Sequence, residues 1–313
     1  MRRKIIRQGH NTLTVSLPIK WCEAHNLKEG EEIDINEKGE CLIFSKEAYR
    51  GTGEIDVDIT GLDRSTIMIL IEGLYTYGYN KINVITRDAK VPHYMFGKEL
   101  PVQAVIHHAV NLLMGTEIVT STKNRYEIVV MTEDSKEKFD MTLRRIFLLI
   151  MGLYDTFLEG IKKKDKAAID ALDLEHDNIM KFINYALRLL NKFGHEDADK
   201  TTFYFSIIQF LHKAERFPKN FAWYIIGNLN IGKKACDLTE EAFQGFKDFY
   251  DVFYKYDLKK IGEIHKKRDL YRVKIGREVS KNLTKDEIFL IATVSNVYEA
   301  VLDLCELKMA IEH

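Results

Sequence analysis

The hydrophobic pattern of this chain becomes helical throughout after the polar stretch Thr132-Glu133-Asp134-Ser135-Lys136-Glu137-Lys138. That change confines strands to the first part and makes the rest helical. Before the stretch, apolar residues alternate or come in short runs, as in Leu13, Val15 and Leu17 against Thr12, Thr14 and Ser16. After it, Leu143, Ile146, Phe147, Ile150, Leu153, Tyr154, Phe157 and Ile161 recur at three- and four-residue steps. Alternation marks a half-buried strand, and the longer step marks an amphipathic helix.

The helical part continues to the C-terminus. A second stripe runs through Ile169, Leu172, His176, Ile179 and Ile183, and Gly194 ends that helix. The third helix covers about 199–229, bent or broken at Pro218. Further helices follow at 237–256 and 258–283, and Thr284 with Glu287 forms a capping-box pattern for the last. Two successive sets of three long helices have the organisation of an internal repeat of up-down bundles.

Between the head and this body, residues 51–133 read as a small α+β domain behind a hinge at Gly51-Thr52-Gly53. Ile55, Val57 and Ile59 form a strand, and Asp63 caps a helix ending near Gly78. A strand over 81–85, a helix started by Pro101 and a hairpin over 117–131 complete a βαβ-αββ order. His93, His107 and His108 read as surface or core residues, because adjacent helical positions face different ways.

Residues 1–50 form a small β-rich head. Met1 to Cys22 holds Arg2, Arg3, Lys4, Arg7 and Lys20 and no acid, whereas residues 23–47 hold eight acids against three lysines. A basic edge on an acidic body suits phosphate binding. Net charge is −1, so such contact must come from this local patch. The loop Gly9-His10-Asn11 offers His10 and Asn11 to base edges or phosphates. So few strands enclose little core alone, which calls for a partner chain. The order of a basic strand, a strand closing on Leu17-Pro18, a short helix, Leu27, Gly30 and Ile33-Asp34-Ile35 resembles the AbrB/MazE/SpoVT swapped-hairpin family. The resemblance implies a dimeric DNA-binding head.

The helical body resembles the PhoU phosphate-uptake regulators, whose tandem three-helix bundles carry spaced acid pairs. Here the fifth helix offers His265 and Asp269, and the sixth Glu299 and Asp303. The second and third offer Asp173, Asp177 and Glu215, but Lys219 stands where an acid is expected and favours a salt bridge over a metal site. Residues i and i+4 lie one turn apart on one helix face, so two facing pairs can ring a cation. A nitrogen donor among carboxylates suits iron, zinc or manganese better than calcium. The basic neighbours Lys266, Lys267 and Arg268 could instead neutralise the acids.

Together these readings give a multidomain chain: a swapped-hairpin head at 1–50, a βαβ-αββ domain at 51–133 and a PhoU-like body at 134–313. The expected function is phosphate-responsive regulation of transcription or transport by a DNA-binding homodimer. The alternative is a signalling adaptor that docks on a phosphate transporter or sensor kinase and uses the head only to dimerise. Nothing matches GxSxG, HExxH or GxxxxGK[ST], so no enzyme is expected. Four scattered cysteines and an apolar run at 146–153 too short to span a bilayer suggest a cytoplasmic protein without membrane insertion.

Overall fold

Strands precede long helices in the computed structural model, which describes residues 2–9, 11–38, 41–45, 53–224, 229–279 and 283–313. His10 and the Gly51-Thr52 part of the expected hinge lie outside the described residues. In the head, β1 (Ile6–Gln8) pairs antiparallel with β2 (Thr12–Thr14), followed by α1 (Ile19–Ala24). Then β3 (Asp34–Lys38) pairs antiparallel with β4 (Cys41–Ser45). The two hairpins are separate two-stranded sheets.

The next part is a four-stranded sheet in the order β5-β6-β10-β9. Strand β5 (Glu54–Asp58) runs parallel to β6 (Lys81–Ile85), with α2 (Arg64–Tyr77) as the crossover. Asp63 caps α2 by accepting from the Ser65 and Thr66 amides, and Gly78 closes it at φ +119°, a left-handed conformation that glycine adopts without strain. A hairpin of β7 (Lys90–His93) and β8 (Lys98–Pro101), absent from the sequence reading, leads into α3 (Val102–Asn111). Strands β9 (Thr116–Ser121) and β10 (Arg125–Val130) close the unit, and α3 packs beside α2.

Six helices form the body: α4 (Phe139–Lys163), α5 (Lys166–Phe193), α6 (Thr201–Tyr224), α7 (Lys233–Tyr254), α8 (Leu258–Val279) and α9 (Lys285–Glu312). Helices α4, α5 and α6 pack on one another, and so do α7, α8 and α9. The trios join through α4 against α7 and α6 against α9. Aromatics fill the α4–α7 seam: Tyr154 stacks on Phe243 with ring centroids 4.0 Å apart, and Phe147 meets Phe246 and Phe253. At Gly245 of α7, an added Cβ would lie 2.5 Å from the buried Tyr298 ring, so α7 and α9 approach closely there. The expected capping box is present, with Thr284 accepting from the Glu287 amide and Glu287 accepting from the Thr284 amide at 2.7 Å. Among the described residues, α9 alone is long and apolar enough to cross a membrane, and half of its apolar stretch is buried in the fold.

Two expectations about helix ends change. Helix α6 runs through Pro218 unbroken. Proline supplies no amide for the Ala214 carbonyl one turn back, and the Tyr154 hydroxyl donates to that carbonyl instead at 3.0 Å. Asp134 or Ser135 would suit a cap for the helix that follows, and Asp134 instead binds Arg188 and Lys192 of α5.

Candidate functional site

The head presents its cations without covering them. Arg2, Arg3, Lys4 and Arg7 are all exposed, and none forms an ion pair among the described residues. Arg7 lies in β1 opposite Leu13, so the two side chains share a hairpin face. Gly9, at φ +74°, turns the chain between β1 and β2, and Asn11 is exposed just after it. Several apolar residues of the head are exposed as well, although Leu17, Trp21, Leu27 and Ile33 are half-buried. Ile6 is 60%, Leu13 66%, Ile35 56% and Leu42 60% exposed. Among the head residues whose exposure is described, 2–9, 11–35 and 42–44, none is buried. Alternating apolar side chains that enclose nothing within one chain are what a sheet awaiting its second half would show.

Behind the head, α2 and α5 lie side by side, and their contacts climb both helices in the same direction. At the start, Arg64 of α2 meets His108, and His108 Nε2 is 3.0 Å from Asp177 of α5. Midway, Asn184 approaches Glu72 and donates to the Leu112 carbonyl. At the end, Asn191 donates to the Thr76 carbonyl, and the fully buried Arg188 donates to the Tyr75 and Tyr79 carbonyls, each at 2.8 Å. Arg188 Nε also holds Asp134 at 2.9 Å. The guanidinium fork thereby adds a second donor to the Tyr75 carbonyl, which the Gly78 amide also reaches, and satisfies the Tyr79 carbonyl just past the end of α2. Burial pushes the Glu72 carboxyl upward, opposed by the Asn184 bond and by His176 and His108. Burial also raises the Asp177 carboxyl, but the His108 bond together with the charges of His108, His176 and Lys219 outweighs it and the net shift is downward.

Five of the candidate metal ligands, Asp173, Asp177, Glu215, Asp269 and Glu299, are occupied by protein partners, whereas His265 Nε2 is buried without a hydrogen-bond partner among the described residues. Asp173 accepts from Trp223 Nε1 at 3.0 Å and lies 3.7 Å from Lys219, the salt bridge expected of that lysine. Glu215, fully buried, sits 2.8 Å from His176 Nδ1. His212 is 3.9 Å from its other oxygen, and burial drives the His212 imidazole down to about 4. In the second trio, Arg268 reaches Asp269 at 3.1 Å and Glu299 at 3.6 Å, and Arg272 holds Glu299 at 2.8 Å. Burial raises the Asp303 carboxyl. His265, Asp269, Glu299 and Asp303 are not gathered as a ligand set, and among the described residues no three His, Cys, Asp or Glu are placed to hold a metal ion. Arg268 is the physical reason, since it inserts a guanidinium between the two acid-bearing helices.

The sequence reading missed Arg188, His108 and His176. Arg188 had a visible signal, a charge inside the apolar run Tyr185-Ala186-Leu187-Arg188-Leu189-Leu190. A scan against protein-family models and searches of curated proteins and solved structures found no match.

Proposed function

We propose that this chain is a DNA-binding regulator of phosphate-responsive transcription or transport, working as a homodimer. In this reading two heads exchange hairpins into one swapped, AbrB-like barrel. Arg2, Arg3, Lys4 and Arg7 contact phosphates or guanines, and His10 and Asn11 lie in the loop facing the bases. The body is a PhoU-like pair of bundles in the cytoplasm, which senses phosphate status or docks on a phosphate transporter or sensor kinase. The reading does not rely on iron, zinc or manganese.

The observation that carries it is the coreless head. Its described residues expose alternating apolar side chains and four unpaired cations together. A second copy would bury the first and double the second. Hydrogen exchange tests this on the full chain. Amides of β1 to β4 should be protected in the wild type, and a Leu13→Asp, Ile35→Asp double variant should lose that protection while the α4–α9 amides keep theirs. Strands already unprotected in the wild type, or equally protected in the variant, would show that the head does not pair.

A further inference from the structure

Helices α5 and α8 hold the same place in their trios, the middle helix between two partners. Their surroundings differ. The outer side of α5 is covered by α2, through Asp177, Asn184, Arg188 and Asn191. Helix α8 packs on α7 and α9, and only Ile261, Ile264 and Tyr271 are buried along its described length. Opposite that stripe, at helical spacing, lie Lys259, Lys266, Leu270 and Val273. Leu270 is 59% exposed and Val273 52%. Gly262 and Gly276 flank the stripe, and nothing stands within 4 Å of where their Cβ atoms would be. Glycine inside an exposed helix is destabilising relative to alanine, and here it leaves the backbone open to close approach.

The charges divide the same way. Cations leaning toward the bundle are matched: Lys267 with Asp248, Lys274 with Glu241, Arg272 with Glu299. Lys259 and Lys266, on the open side, form no ion pair among the described residues.

We propose that the outer face of α8 docks an acidic amphipathic helix of a partner protein, laid along it as α2 is laid along α5. Its apolar residues would cover Leu270 and Val273. Its carboxylates, two turns apart, would meet Lys259 and Lys266. The other occupants fit less well. A second α8 would set lysines against lysines. Nucleic acid would leave Leu270 and Val273 against phosphates, with no apolar partner to cover them. Two aliphatic side chains without an aromatic neighbour on the stripe give a bilayer little to hold. The inference rests on α8 alone and stands apart from DNA binding by the head.

The test uses the full chain with a photo-cross-linking residue at position 273, irradiated in extract of the source cells, with adduct sites read by mass spectrometry. The expected adduct is a helical segment of another protein with acids seven residues apart. Its yield should fall at least tenfold in K259E/K266E. A synthetic peptide of that segment should bind the wild type in calorimetry, and bind both K259E/K266E and L270S/V273S at least tenfold more weakly. Both variants alter exposed side chains, so their melting temperatures should match the wild type, and their DNA binding through the head should be unchanged. Adducts on nucleic acid, on lipid, on a second copy of this chain or on a segment without acids would overturn the proposal. So would no adduct, or a yield indifferent to charge reversal.

Discussion

Replacing Tyr154 with phenylalanine should destabilise the body by an amount set by one carbonyl. Pro218 cannot donate to the Ala214 carbonyl, and the Tyr154 hydroxyl does so at 3.0 Å. Tyr154 and Ala214 are both fully buried, so water cannot take over. Tyr154→Phe keeps the ring and its stack on Phe243 and removes only the donor. Leaving a buried acceptor unpaired costs about 1–3 kcal/mol. In a helical body of this size that corresponds to a fall of roughly 2–10 °C in melting temperature, followed by circular dichroism. The sharper assay is a double-mutant cycle with Pro218→Ala, which restores a backbone amide one turn from Ala214. In that background Tyr154→Phe should cost about 1 kcal/mol less than it does alone, because the carbonyl then has another donor. If the two substitutions are additive, or if Tyr154→Phe is silent in the wild type, the hydroxyl does not substitute for the missing amide and the account of the unbroken α6 fails.

Two further outcomes follow from buried charge. Arg188→Met should cost about 1–3 kcal/mol, seen as faster exchange of the Tyr75 to Asn80 amides, because it leaves the buried Asp134 carboxylate with Lys192 alone and takes the donor from the Tyr79 carbonyl. Adding Asp134→Asn should recover part of the loss, since the buried carboxylate that has lost its guanidinium is then gone; no recovery would mean that Arg188 acts through the Tyr75 and Tyr79 carbonyls and not through Asp134. His212, held by burial at about 4 instead of 6.5, takes up its proton in the unfolded chain at a higher pH than in the folded one. Stability should therefore fall as pH drops from about 6.5 to about 4 and level off below. The loss is at most about 3 kcal/mol, with the charges of Arg216 and His176 adding to the effect of burial. His212→Gln should flatten that part of a denaturation-against-pH curve, and an unchanged slope would assign it to other groups.

The parts of the fold that local chemistry determines were legible in the sequence. The helical stripe from Phe139, the Asp63 cap and the Thr284–Glu287 box each depend on residues within one or two turns. What was not legible depends on distant partners. Asp134 has the composition of a helix cap, but Arg188, 54 positions away, claims it. Pro218 reads as a break until Tyr154, on another helix, supplies the donor. Glu287 was readable as a capping residue, yet its second oxygen also accepts from the Gly232 amide at the start of α7, 55 positions earlier. The acid pairs of α8 and α9 keep the spacing of a ligand set, but which cation sits between them depends on how the helices are rotated, and that rotation places Arg268 there. The β7–β8 hairpin is too short to give a periodic signal.

The central claim is that the basic N-terminal strand binds DNA, and the salt dependence of binding tests it most directly. Affinity of the full chain for duplex DNA should fall linearly with salt on logarithmic axes, as neutralised phosphates release their counterions. In the Arg2→Ala, Arg3→Ala, Lys4→Ala, Arg7→Ala variant the slope should flatten by roughly one unit for each phosphate that a half-site no longer neutralises, with the body's melting temperature unchanged. A wild type that does not bind duplex DNA, or a variant that binds with the same salt slope, would contradict the claim and leave the head as a dimerisation module.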